Sequence, residues 1–223
     1  MSGAVFHGIR AVLFDLDGTL IDSAPDLGAA AEQMRLARGL QPLGLAAYRA
    51  YAGMGARGMM GVAFGVAPDQ PAFAALREEF FDRYEACIHD RTQVFEGVLP
   101  LIEALQARSL PWGVVTNKYE RFTRLIAARL PLFATSSAFV SGDTTAHMKP
   151  HPASLLEACR RLQLAPSDCI YVGDDERDML AGRSAGMGTV AALYGYLGVD
   201  ANAQGWGADA SVEHPMQCLD LLG

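Results

Sequence analysis

The sequence predicts an α/β protein, a parallel sheet with helices on both faces, interrupted early by an all-helical segment. Three observations predict it. From residue 98 onward, short apolar runs suited to buried strands alternate with helix-period stripes, and parallel strands need such crossover connections. Residues 22–92 carry helical patterns and no strand candidate. Of the 223 residues, 51% are apolar and 19% charged, enough for a substantial core. The expected division is a core of 1–21 and 93–223 and a small helical domain of 22–92.

Ala11 to Phe14 is a buried-type strand that runs into Asp15 and Asp17 and breaks at Gly18. The pleat puts residues i and i+2 on one side, so the two carboxylates emerge together at the sheet edge where open α/β folds bind ligands. Two readings stand here: a metal site that offsets two like charges, and a simple Asp-Gly turn. Ser23, with Asp26 three residues on, reads as the N-cap of a helix bearing Leu27, Ala31 and Met34. A second helix is expected over 43–52. Gly53-Met54-Gly55-Ala56-Arg57-Gly58 reads as a flexible loop, too rich in glycine for a helix interior. Phe73, Leu76, Phe80, Tyr84 and Ile88 form the apolar stripe of the next helix.

Val98, Leu101, Ile102 and Leu105 then mark a helix face, residues 112–116 a strand, and Phe122, Leu125 and Ile126 a helix. Residues 138–141 form a strand, Leu155, Cys159 and Leu162 a helix stripe, and 169–172 a strand. A helix over 177–185 stops at Gly186. Short strands at 189–193 and 210–212 complete the series.

No apolar run approaches a membrane span, and no basic flank followed by an extended apolar stretch opens the chain. A soluble cytoplasmic protein is expected, without a membrane partner. Cys87, Cys159, Cys169 and Cys218 are widely separated and read as reduced core residues. A net charge of −7 with no Lys/Arg cluster argues against nucleic acid. An anionic substrate would need a locally positive site. His147 and His151 stand four apart, but Pro150 between them breaks any helix that would make them a zinc pair, leaving loop histidines.

Three further segments place polar groups near strand ends. Thr116 and Asn117 could hold phosphate oxygens at a helix N-terminus, although Asn117 with Glu120 also makes a capping box. Asp174, Asp175, Glu176 and Asp178 bring more carboxylates; Asp15, Asp17 and Asp174 form a set that a hard cation such as Mg²⁺ takes, while acidic residues also suit a first helical turn. Prolines on both sides of His151 hold Lys149 on an extended approach. There it could neutralise carboxylates and a phosphate, or be a solvated surface lysine.

Asp15-x-Asp17-Gly-Thr, the strand ending Thr116-Asn117, Lys149-Pro150, and Gly173-Asp174 with Asp178 four residues beyond Asp174 resemble, in order and spacing, the motifs of the haloacid-dehalogenase-like phosphohydrolases. The resemblance spans nearly the whole chain. It implies a three-layer Rossmann-like core with a mobile helical cap, and a catalytic set of Asp15, Asp17, Thr116, Asn117 and Lys149. In it Asp15 attacks phosphorus to give an aspartyl-phosphate, and Asp17 protonates the leaving oxygen and then activates water. Thr116 and Asn117 hold the transferring oxygens. Mg²⁺ is implied on Asp15, Asp17 and Asp174, with Asp178 orienting Lys149 or a metal-bound water. Asp175 stands where many relatives have serine, and its role is left open.

Within that resemblance, Asp17 points to a phosphatase or phosphomutase rather than a dehalogenase or ion pump, and nothing in the sequence specifically supports a mutase. A receiver-type signalling module is also doubly wound and phosphorylated on aspartate, but needs no cap. The resemblance makes Gly53, Gly55 and Arg57 the cap's specificity loop, with Lys118 grouped among the substrate-binding residues; Arg57 could pair with a substrate carboxylate. The chain is similar to phosphoglycolate phosphatases in general. Gly55-Ala56-Arg57, Phe95-Glu96-Gly97, Gly195-Tyr196 and Trp206-Gly207-Ala208-Asp209 resemble the subgroup that contains N-acetylmuramic acid 6-phosphate phosphatases, where Tyr119 commonly gives way to proline. The implied partner is a small phosphorylated metabolite, handled by a monomer or homodimer.

Overall fold

In a computed structural model, which describes residues 5–198 and 202–223, the chain runs through β1 (Ala11–Phe14), β2 (Ile21–Asp22), α1 (Ala24–Leu36), α2 (Ala46–Arg49), α3 (Gly55–Phe64), α4 (Phe73–Cys87), β3 (Gln93–Val94) and α5 (Val98–Ala107). It continues through β4 (Trp112–Val115), α6 (Glu120–Arg129), β5 (Ala138–Val140), α7 (Ala153–Leu162), β6 (Cys169–Gly173), α8 (Glu176–Ala185), β7 (Gly188–Ala192) and β8 (Ala210–Val212). Residues 1–4 and 199–201 of the expected core lie outside the described residues.

Six strands form one parallel sheet in the order β5-β4-β1-β6-β7-β8. Counted among themselves in chain order, they stand 3-2-1-4-5-6, the doubly wound arrangement whose ligand crevice opens where the order reverses beside the first strand. The sheet is covered on both faces, so its strands are continuous apolar runs rather than alternating ones. Side-chain alternation in β1 divides the core. Val12 and Phe14 pack with Leu101, Leu105 and Ile126 from α5 and α6, whereas Ala11 and Leu13 pack with Leu155, Ala158 and Ala181 from α7 and α8.

Helices α1 to α4 pack chiefly on one another, with α1 touching the other three. At either end of this segment the chain passes through β2 and β3, an antiparallel pair with Ile21 opposite Val94 and Asp22 opposite Gln93. Asp22 is therefore in a strand where the sequence offered no candidate.

Three local expectations are corrected. The helix expected over 43–52 is the short α2 followed by a 3₁₀ turn, Ala52–Met54. The glycine-rich segment is not a loop, because α3 begins at Gly55 and carries Gly58 inside it. A Cβ at Gly58 would lie 2.3 Å from the Tyr51 carbonyl oxygen, so close packing, not turn geometry, accounts for glycine there. Ser23 does not cap α1: its backbone is helical and its hydroxyl donates to Asp17. Asp26, the other half of the expected box, accepts from the Arg91 and Thr92 amides and the Thr92 hydroxyl, tying the start of α1 to the approach to β3.

All four cysteines are buried and free of disulfides, as expected. His147 and His151 are exposed, with no helix joining them. Among the described residues no helix is long and apolar enough to cross a membrane.

Candidate active site

Strands β1, β4 and β6 end level with one another, Phe14 standing opposite both Val114 and Val172. That register delivers Asp15, Thr116 and Asp174 to one edge of the sheet. Lys149 reaches the same place from the loop before α7, almost fully buried. Its Nζ lies 2.9 Å from Asp15 Oδ1 and 2.7 Å from Asp178 Oδ1, and donates to Tyr171 Oη at 2.7 Å and to the Val115 carbonyl at 3.2 Å. Burial alone would lower the pKa of the ammonium, but the Asp15 and Asp178 carboxylates outweigh it and hold the pKa above its ordinary value.

The carboxylates show the complementary strain. Burial, against the pull of Lys149 and with the push of Asp15, moves Asp178 up to about 7. Burial, with Asp15 and Asp178 nearby, moves Asp174 well above the ordinary range, despite bonds from the Tyr196 amide at 2.8 Å and the Thr19 hydroxyl at 3.1 Å. Gly18, at φ +87°, leaves room for that carboxylate: a Cβ there would fall 2.1 Å from Asp174 Oδ2. Asp15, Asp174 and Asp178 each offer an oxygen within 4.8 Å of the others. One lysine does not neutralise three carboxylates, and all-oxygen donors suit a hard divalent cation.

Asp17 lies outside that group. Lys118 Nζ holds both its oxygens, at 3.0 and 3.1 Å, and Ser23 donates to one of them. The set of carboxylates within reach of a cation thus contains Asp178 where the sequence reading put Asp17. Lys118, expected among the substrate-binding residues, is engaged by Asp17 and stands over the Tyr84 ring at 4.7 Å.

Asn117 turns away from a capping box as well. The N-cap of α6 is Tyr119. The Asn117 amide instead donates to the Lys149 carbonyl and accepts from the Lys149 amide, each at 2.9 Å, fixing the lysine's backbone. The Thr116 hydroxyl accepts from the Lys118 amide at 3.2 Å and lines the cavity above Asp15.

That cavity measures about 370 Å³ and contains every sequence-predicted site residue in its wall: Asp15, Asp17, Thr116, Asn117, Lys118, Lys149, Asp174 and Asp178 from the sheet edge, and Gly53, Gly55 and Arg57 from the helical segment. Arg57 makes no hydrogen bond or ion pair with another described residue. Its charge is available to a ligand. Phe73, Phe80 and Tyr84 of α4, with Phe122 of α6, supply an apolar wall.

The α4 stripe read from the sequence is buried as an apolar helix face should be, and Phe73, Phe80 and Tyr84 of it also line the cavity. Sequence reasoning passed over Arg77, which lies on the cavity's far wall. Asp175, left open, is the N-cap of α8: it accepts from the Arg177 amide, while its own amide donates to Asp178.

A doubly wound sheet presenting this lysine and these carboxylates at its switch point defines a class of hydrolases. The family model described as haloacid dehalogenase-like hydrolase matches residues 9–186, and the chain belongs to that family. A phosphoglycolate phosphatase from Xanthomonas campestris is 47% identical over 208 residues, 93% of this chain and 94% of its own length. An N-acetylmuramic acid 6-phosphate phosphatase from Pseudomonas aeruginosa is 42% identical over 214 residues, covering 96% and 95%. Among solved structures, a predicted phosphoglycolate phosphatase from Haemophilus somnus superposes with a TM-score of 0.84 at 24% identity, over 96% of this chain and 98% of that one. With such relatives, this chain is a phosphatase of the family.

Proposed function

We propose that the protein is a Mg²⁺-dependent phosphomonoesterase that works through an aspartyl-phosphate on Asp15, with α1 to α4 (22–92) serving as a cap over a core of 1–21 and 93–223. The observation that carries this reading is the placement of Asp15. It stands 2.9 Å from a buried ammonium, in the wall of the cavity, beside two further carboxylates. Asp15, Asp174 and Asp178 would hold the cation, which when bound supplies positive charge against the phosphate oxygens.

The chain's own residues supply the remaining chemistry. An Asp15 oxygen forms a bond to phosphorus as the ester P–O bond breaks, and the departing oxygen takes a proton from Asp17. Asp17, now a carboxylate, takes a proton from water as the water oxygen bonds to phosphorus and Asp15 is released. A covalent intermediate divides one difficult displacement into two easier ones. Lys149 offsets the charge of a phosphate placed among carboxylates. Lys118 and Ser23 hold the Asp17 carboxylate in the cavity wall.

The substrate class follows from the rest of the cavity. Arg57 offers an unpaired guanidinium suited to a carboxylate, and the aromatic wall suits the face of a sugar ring. An acidic sugar phosphate such as N-acetylmuramic acid 6-phosphate engages both features. Phosphoglycolate, with a single methylene between its charges, leaves the aromatic wall uncovered.

A phosphate-release panel with both compounds and neutral sugar phosphates, ranked by kcat/KM, tests the assignment. Asp15→Asn is expected to fold, yet neither to turn over nor to take up phosphate covalently. Activity near wild type in that variant would overturn the mechanism, and a flat panel would overturn the substrate class.

A further inference from the structure

Arg177, a core side chain outside the chemistry just described, reaches the turn that leads into α3. Arg177, at the second position of α8, forks onto Asp175, with Nε 2.7 Å from Oδ1 and Nη2 2.8 Å from Oδ2. The same Nη2 donates to the carbonyl oxygen of Gly53 at 2.7 Å, across 124 positions of sequence. Gly53 belongs to the 3₁₀ turn Ala52–Met54, which leads directly into α3 and Arg57.

The fork is rigidly mounted. Asp175 is fixed as the N-cap of α8, and its amide is held at 3.1 Å by Asp178, whose other oxygen contacts Lys149. The Asp175–Arg177 pair is partly exposed, about 31% and 30% by side chain, so its bonds are only in part open to competing water. A planar guanidinium can satisfy a carboxylate with one edge and still donate to a third acceptor, which an ammonium cannot do in the same geometry.

We propose that Arg177, braced by Asp175, is a positioning residue that latches the Gly53 carbonyl and so sets where α3 presents Arg57 over the cavity. The inference rests on the cap reading above and extends it. It assigns the position of the Ala52–Met54 turn to a core side chain, and assigns a purpose to Asp175. Arg177 itself lines the cavity, but its bonds go to Asp175 and to the turn that leads to Arg57, not to Asp15 or Asp17, so the latch bears on recognition of the substrate's acidic end rather than on transfer of its phosphoryl group.

Two measurements test it. The first, independent of any activity, is hydrogen exchange. In Arg177→Ala the amides of 52–64 are expected to exchange about tenfold faster, as loss of a charge-assisted bond permits, while β1 and β4 keep wild-type protection. Arg177→Lys, which preserves the charge but loses the fork, is expected to behave the same way and serves if the alanine variant folds poorly.

The second is kinetic. KM for N-acetylmuramic acid 6-phosphate is expected to rise about tenfold in Arg177→Ala, with kcat/KM for p-nitrophenyl phosphate changed less than about twofold. The double variant Arg57→Ala/Arg177→Ala is expected to be little worse than Arg57→Ala, because both remove one interaction. Unchanged exchange over 52–64 overturns the latch, as do losses that simply add in the double variant or fall equally on p-nitrophenyl phosphate. A wild-type protein that hydrolyses none of these esters overturns the functional reading instead, and exchange alone then decides the latch.

Discussion

At the scale of single residues, the site is a set of charges that cannot all be comfortable at once. An aspartate ordinarily ionises near pH 4. Asp178 is pushed up to about 7 by burial and by Asp15, against Lys149, and Asp174 is pushed well up by burial and both neighbours. With folded pKa values above the unfolded ones, the folded state binds more protons between the two, so the metal-free protein loses stability as pH rises through about 4 to 7. A divalent cation favours the ionised carboxylates and offsets that loss. The thermal midpoint gain from added Mg²⁺ should therefore be small at about pH 5 and larger at about pH 8. A gain that is equal at both, measured by calorimetry, would mean that these carboxylates do not hold the ion. The sequence shows the cluster's members but not this division: Asp15, Asp17 and Asp174 look alike as strand-end acids. Only the fold reveals that Lys118 and Ser23 engage Asp17 while Asp178 turns inward.

At the scale of elements, the sheet is legible because a strand buried on both faces is a continuous apolar run, as in β1, β4 and β6. The helical segment is harder to read because glycine has two opposite meanings there. Gly58 and Gly61 lie in the same helix and differ only in what a methyl group would meet. At Gly58 it would lie 2.3 Å from the Tyr51 oxygen and 2.9 Å from Met54 Cβ, whereas at Gly61 nothing comes within 4 Å. Alanine favours a helix interior over glycine by about 0.8–1 kcal/mol, and forced overpacking costs about 1–3 kcal/mol. Gly58→Ala is thus expected to destabilise by about 1–2 kcal/mol net, and Gly61→Ala to stabilise by roughly 0.5–1 kcal/mol. Denaturant melts of the two variants check the contrast. Equal stabilisation by both would show that the α3 approach to Tyr51 is looser than described. Ser23 and Asp26 teach a related lesson: a capping pattern and a pair of tertiary hydrogen-bond residues use the same side chains at the same spacing.

At the scale of the whole molecule, a chain of net charge −7 brings Arg57, Arg77, Lys118, Lys149 and Arg177 into the wall of one cavity. In the proposed function the sheet edge supplies the phosphate chemistry, and its motifs are legible because such chemistry fixes residue type at fixed offsets from strand ends. The other wall comes from α3 and α4, where Arg57, Arg77 and the aromatic stripe line the cavity and, in the proposed reading, meet whatever the phosphate is attached to. These were less legible, since nothing in a helix pattern says which stripe faces a cavity. The division of labour has a testable consequence. N-acetylmuramic acid 6-phosphate and N-acetylglucosamine 6-phosphate share ring, acetamide and phosphate, and differ by the acidic ether substituent. If Arg57 reads that substituent, Arg57→Ala should cost the acidic compound about ten- to a hundredfold in kcat/KM, as a charge-assisted hydrogen bond is worth. The neutral compound should lose little, so the preference between them collapses. Because Asp15, Lys149 and Asp174 remain untouched, the change should fall mainly on KM if the guanidinium binds ground state and transition state alike. A preserved preference in Arg57→Ala would move recognition of the acid to Arg77, whose only described ion pair is with the exposed Glu78.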